Sequence, residues 1–148
     1  MKIAGIYSFK NGEKIVRGKY GALLKEVEQI ISGVDASICK TKKSKEKTMP
    51  GQKLFSPVKL NREFKKMFSP LGWNSVRVKC NYPTQFYTKG YAPKELRKGA
   101  FREMDFVKQK LGVEVQFGKY AFMVYNVAAK MTIFSNLGHI DTGSKLSP

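Results

Sequence analysis

Asp105, Glu114 and Gln116 are the residues of this chain whose types and spacing point to chemistry. They lie in the run Asp105-Phe-Val-Lys-Gln-Lys-Leu-Gly-Val-Glu114-Val-Gln116-Phe-Gly-Lys119-Tyr120, which sets two carboxylates nine positions apart around a turn signal. Hard divalent cations such as Mg²⁺ take oxygen ligands, usually one or two carboxylates with several waters retained. Asp105 and Glu114 supply such a pair, with the Val115 carbonyl as a further oxygen. A cation so held lowers the pKa of a bound water and offsets charge that builds on a phosphoryl group. Gln116 would orient the water or a phosphate oxygen; an amide does not titrate, so it is no general base. The plainer alternative is a polar strand face with no ligand, and such faces are common.

Strand geometry decides whether the three meet. Successive side chains of a strand point to opposite faces, so Glu114 and Gln116 share one face and Val113, Val115 and Phe117 the other. A hairpin closed at Leu111-Gly112 brings Asp105 back beside the polar pair. Pairings that set Asp105 opposite Glu114 or Gln116 gather all three groups on one face, and a one-residue slip separates them. The active-site strands are expected over about 103–118.

Other elements must carry this hairpin. Residues 2–9 read as a strand, Asn11-Gly12 as a hairpin turn and Glu13–Arg17 as a second strand. Tyr20, Leu23, Leu24, Val27, Ile30 and Ile31 form a helical stripe that stops at Gly33, with Glu26 and Glu28 on the solvated side. Leu60–Phe68 reads as a short helix with Asn61 as N-cap and Leu60, Phe64, Met67 and Phe68 inward. Val76, Val78 and Cys80 alternate with Arg77 and Lys79, a half-buried strand. A long loop follows over 83–100, with one helical turn at Pro93–Lys98. Tyr120–Phe134 is apolar around most of its girth, a helix for the core or a subunit interface. From Asn136 onward no closing element stands out.

Composition narrows the function classes. At 148 residues with 42% apolar content the chain is a single domain, 1–148, with a real core. Its 28 Lys and Arg against 11 Asp and Glu leave a net charge of +17, which favours a polyanionic partner. Nucleic acid leads, because neutralising phosphates releases condensed counterions. The most basic segment, about 39–53, carries Lys40, Lys42, Lys43, Lys45 and Lys47 among hydroxyls, types that grip phosphate oxygens. Its alternative reading is a disordered, solvated loop.

Nothing in the sequence approaches a membrane span or a signal peptide. Cys39 and Cys80 lack metal-ligand spacing, which argues against zinc and fits reduced thiols in a cytoplasmic protein. His139 is the single histidine, which disfavours histidine-based hydrolysis and leaves carboxylates with a metal.

The spacing Asp-x8-Glu-x-Gln followed by Phe-Gly-Lys-Tyr, here Asp105 through Tyr120, resembles the BglII/BstYI family of type II restriction endonucleases. The run from Asp35-Ala36 through the lysine-rich segment to Gly51-Gln52 and Phe55-Ser-Pro-Val58, with Leu60-Asn61, Phe64 and Gly72-Trp73, resembles the BstYI branch. The resemblance covers most of residues 1 to about 135.

It implies a PD-(D/E)xK-type α/β fold, a mixed sheet flanked by helices. Asp105 and Glu114 would be metal ligands and Gln116 the third active-site group, standing where the general pattern has Lys. Met104 replaces the usual Pro. Lys119 falls where relatives read the outer base pair, and Lys40, Lys42, Lys43, Lys45 and Lys47 would contact or enclose the duplex. The implied activity is Mg²⁺-dependent cleavage of a palindrome containing GATC by a homodimer, with no membrane partner.

Relatives continue past Ile140-Asp141 with a further strand and a base-contacting loop, whereas this sequence stops at Pro148. That departure implies C-terminal truncation of the core sheet and recognition surface. A truncated form, a decayed copy and a minimal active form are all consistent with it. Two other functions stay open: a catalytically silent DNA-binding remnant, and a basic RNA-binding protein.

Overall fold

The apolar stripe after Tyr20 forms a helix as its period requires. In the computed structural model, which describes residues 1–80, 87–91, 100–117 and 124–147, helix α2 runs Gly21–Gly33 and buries Leu23, Val27, Ile30 and Ile31. It is preceded by α1, Gly12–Lys19, where the second strand of a hairpin, Glu13–Arg17, was expected. The turn itself is present: Lys10 and Asn11 take φ of 50° and 58°, and Gly12 N–H donates to Phe9 O at 3.0 Å. Its arms are not strands, because Glu13 and Arg17 pair across one helical turn at 2.8 Å and Val16 is buried from the helical register. Residues 2–9 run irregularly and exposed.

Helix α3, Pro57–Phe68, starts earlier than the apolar period suggests. Ser56 rather than Asn61 is its N-cap, accepting from Lys59 N–H at 3.4 Å, and Pro57 sits in the first turn, where an N–H is not needed. Leu60, Phe64 and Phe68 face inward, while Met67 falls on the flank and stays exposed. Between α2 and α3 the basic segment closes into a small antiparallel ladder, β1 (Lys42–Lys43) with β2 (Lys53–Leu54). Buried Ser44 ties it together through Ser44 N–H to Gln52 O and Gly51 N–H to Ser44 O, at 2.8 and 3.1 Å.

The main sheet has the order β3 (Asn74–Lys79), β4 (Phe101–Lys108), β5 (Leu111–Val115), β6 (Thr142–Leu146). The first two pairings are antiparallel and β6 lies parallel to β5, so the sheet is mixed. Strand β6 corrects the expectation of an ending without a closing element. Thr142-Gly-Ser-Lys-Leu lacks apolar alternation, and backbone pairing along its length, Leu111↔Thr142 through Val115↔Leu146, makes it a strand.

Apolar side chains cover both faces. On one, α1, α2 and α3 bring Val16, Ile30, Phe64 and Phe68 onto Trp73, Phe106, Leu111, Val113 and Val115. On the other, Val78, Met104, Phe134 and Ile140 form a second core. Phe134 belongs to α4, Thr132–Asn136, which continues the π-helical segment Tyr125–Met131. Val124, which caps that segment, and Tyr125, its first residue, stand 70% and 43% exposed, so the start of this helix is not sealed in the core of the chain. Residues 118–123 and the helical turn expected at Pro93–Lys98 lie outside the described residues. No helix among the described residues is long and apolar enough to cross a membrane.

Phe68 holds the first core to the sheet. It is fully buried, stacks on Phe106 at 4.2 Å and meets Trp73 edge-on at 5.3 Å. Phe68→Ala is expected to cost about 3–5 kcal/mol, since the cavity left between helix and sheet cannot collapse far. Urea unfolding measures this, and a loss below about 1 kcal/mol would mean the site repacks.

Candidate active site

The β4–β5 hairpin closes at Gln109-Lys110, not at Leu111-Gly112. Both turn residues take positive φ, 47° and 67°, as a two-residue I′ turn requires, and Leu111 is buried in the core. The register runs Lys108↔Leu111, Val107↔Gly112, Phe106↔Val113. One step further sets Asp105 opposite Glu114, the pairing that parity asks for. There the ladder changes character. Val115 N–H donates to Asp105 Oδ2 at 2.9 Å, and Asp105 N–H points at Glu114 Oε2 at 3.4 Å. Each strand's backbone is thus answered by the other strand's carboxylate.

A bulge produces this opening. Against β3, Asn74 pairs with Val107 but Val76 pairs with Met104, so three steps on β4 match two on β3. The extra residue falls at Asp105-Phe106. Its effect shows in the cores: Met104 packs in the second and Phe106, two residues on, in the first. In an unbroken strand they would share a face. Bulges re-aim side chains in this way. Asp105 is therefore not on one simple face with Glu114 and Gln116, as period-two alternation implied. It lines a cleft of about 250 Å³ on the α3 side, with Asn61, Lys65, Ser75, Glu103 and Val115.

Glu114 and Gln116 do share a face, and one element holds both. Asn126 Nδ2 donates to Gln116 Oε1 at 2.6 Å, and the Lys130 ammonium donates to Glu114 Oε1. Both donors come from the π-helical segment, four residues apart. Lys130 is 9% exposed and Glu114 4%, so this ion pair is buried. The sequence reading missed Lys130 and Asn126. Lys130 carried a signal, as the one charged residue between Tyr120 and Phe134.

Burial pushes the Glu114 carboxyl up to about 7; the charge of Asp105 adds to this, and Lys130 pulls partly back. Burial likewise raises Asp105, against the downward pull of the Val115 N–H. Lys145, opposite Glu114 on β6, is held below the ordinary lysine range by burial, although Glu114 draws it upward. At Glu103 burial also works upward, but Arg77, paired at 2.7 Å, and Ser75 outweigh it, so the carboxylate is committed to an ion pair. Glu26, expected on a solvated face, instead takes Trp73 Nε1 at 3.0 Å and the Lys108 ammonium at 2.9 and 2.7 Å, which fastens α2 to the sheet.

No cluster of three or more His, Cys, Asp or Glu forms a metal cage among the described residues. The donor set nonetheless fits a hard cation held by two carboxylates and water. Oδ2 of Asp105 is engaged by Val115 N–H and Oε1 of Glu114 by Lys130, while Oε2 of Glu114 carries only the longer 3.4 Å contact with Asp105 N–H, which a cation there would replace.

None of the five basic-segment lysines expected to contact DNA lines the Asp105 cleft. Lys40, Lys42, Lys43, Lys45 and Lys47 are exposed on and around the β1–β2 ladder, with Lys40 over the Phe55 ring at 5.8 Å. Lys119 lies outside the described residues.

The family model described as restriction endonuclease BglII/BglIII matches residues 4–145, nearly the whole chain. The chain belongs to that family. Among solved structures, restriction endonuclease BglII complexed with a DNA 16-mer is similar at a TM-score of 0.57 and 24% identity, over 94% of this chain. At that identity the likeness speaks to the fold, a mixed sheet flanked by helices. The match covers 54% of the BglII chain, so this chain spans about half the length of that protein. No curated protein matches it.

Proposed function

We propose that the chain is the catalytic core of a Mg²⁺-dependent type II restriction endonuclease that hydrolyses phosphodiester bonds in double-stranded DNA, at a palindrome containing GATC. One observation carries this reading. Asp105 and Glu114 meet across a bulged hairpin, Asp105 held through Oδ2 and Glu114 through Oε1 with only a 3.4 Å contact on its Oε2, beside a cleft lined by Asn61, Lys65 and Ser75. Family membership gives the same class of activity.

Asp105 and Glu114 would hold the cation. When bound, it acidifies a water and neutralises charge developing on the phosphoryl oxygens. Gln116, fixed by Asn126, offers its amide to a water or phosphate oxygen. Asn61, Ser75 and Lys65 are donors suited to the phosphate backbone where it crosses the cleft. The lysines around β1–β2 supply sequence-independent attraction, and Lys119 donates to a purine edge of the outer base pair, guanine preferred. Two copies related by a twofold axis would cut the two strands of a palindrome. The exposed Val124 and Tyr125 are suited to that contact.

The test is cleavage of DNA carrying GATC in every flanking context, with Mg²⁺ and with chelator. Discrete fragments that require the cation are expected. Salt-sensitive DNA binding without cleavage would reduce the chain to a silent remnant, and selective RNA binding would overturn the nuclease reading.

A further inference from the structure

Within the proposed metal site, one charged group has no assigned task. Lys130 reaches Glu114 from the opposite side of the sheet to the Asp105 cleft, out of a π-helical segment, a rare conformation found often at functional sites. Burying an ammonium is costly unless it is paired and hydrogen-bonded. Here it has one carboxylate partner, and that partner is a proposed metal ligand. The contact is to one oxygen only, Oε1, while Oε2 looks toward Asp105 N–H at 3.4 Å.

Two features keep the lysine where it is. Asn126, one turn earlier on the same segment, is bonded to Gln116. On the far side Gly143 of β6 lets the helix approach, since a Cβ there would lie 2.8 Å from Met131 Sδ.

We infer that Lys130 is a positioning residue for cleavage: by holding Oε1 of Glu114 it presents Oε2 to the cation and to Asp105. It also offsets one of the two buried negative charges, so that Asp105 and Glu114 can share a pocket. Partners of metal ligands that act in this way are typically worth 10–100-fold in metal affinity or activity. The inference rests on the proposed metal site and makes a separable claim about it.

Placement and mere charge balance leave different signatures. Lys130→Met lets the Glu114 carboxylate turn away from the site, so Mn²⁺ should bind more weakly than in wild type. Glu114 loses its orientation, so single-turnover cleavage at saturating Mg²⁺ should fall about 10–100-fold. Lys130→Arg, which keeps the charge and a donor, should recover part of that loss. Lys145→Met removes a charge near Glu114 but none of its hydrogen bonds shown here, and should slow cleavage less than Lys130→Met.

Full cleavage by Lys130→Met at wild-type metal concentrations overturns the inference, as does an equal loss in Lys145→Met. If Lys130→Met does not melt cooperatively, Lys130→Arg decides. A normal melt with a reduced rate supports positioning, and a wild-type rate sinks it. Glu114→Ala separates this claim from its premise. If that variant cuts DNA normally, the metal-site reading fails. If it is inactive while Lys130→Met is fully active, only the role of Lys130 fails.

Discussion

Asp105→Asn is expected to abolish DNA cleavage and, at the same time, to make the metal-free protein harder to unfold. The loss follows from ligand chemistry. A neutral amide replaces one of two carboxylates on a cation whose contribution to the transition state is several kcal/mol. At 1.36 kcal/mol per tenfold, the rate should fall by about 10³ or more.

The gain follows from the site's electrostatics. Burial raises the Asp105 pKa, which means that folding penalises its charged form, and its charge in turn raises Glu114. Asparagine removes both penalties and can still accept the Val115 N–H that Asp105 Oδ2 accepts at 2.9 Å. The sign can be checked by pH. A raised carboxyl contributes stability below its unfolded pKa and loses it as pH rises through the folded value. The advantage of Asp105→Asn should therefore be large at pH 8 and shrink toward pH 4. Urea midpoints of the two proteins at both pH values, without metal, measure it. Destabilisation at pH 8 would show that the Asp105 charge is structural.

That opposition of stability and activity is also where the sequence stopped being readable. The hairpin was legible because its evidence is local: an acid, a two-residue turn, and alternation that places Glu114 and Gln116 together. Even the turn was misplaced, since Leu111-Gly112 looks like a breaker until Leu111 is seen in the core. The bulge at Asp105-Phe106 has no sequence mark, because it is a mismatch between β4 and β3, whose partner residues lie some thirty positions upstream. Strand β6 was invisible for a similar reason: its apolar pattern is weak and its order comes from pairing with β5. At the N-terminus a correct turn was given the wrong arms, because the burial of Val16 decides for a helix. Lys130 stood out as a lone charge in an apolar stretch, but what it bonds to depends on which face of the sheet that helix covers. Local rules recovered the ligands, and the groups that hold them came from tertiary structure.

Divalent-cation binding to the wild-type chain should weaken steeply below neutral pH and level off above it. The Glu114 carboxyl, ordinarily near 4.5, sits at about 7 in the folded protein because burial and Asp105 both oppose its charge. Between those values the folded state keeps a proton that the unfolded state has released. Metal-free stability should accordingly fall as pH rises through that window and flatten above it. A cation needs the ionised oxygen and must displace the proton. Apparent affinity should drop by up to about tenfold for each pH unit below 7, with about one proton released per ion bound. Asp105 is raised as well, so the two acids titrate as a pair and the curve should be broader than that of one group. Calorimetry in two buffers of different ionisation enthalpy reads both the affinity and the proton count. An affinity that stays flat through acid pH would remove Glu114 from the ligand set. Cleavage carries the same signature in kinetic form. At limiting Mg²⁺ the rate should climb through pH 7, and at saturating Mg²⁺ the climb should move to lower pH, because metal and proton compete for the same carboxylate.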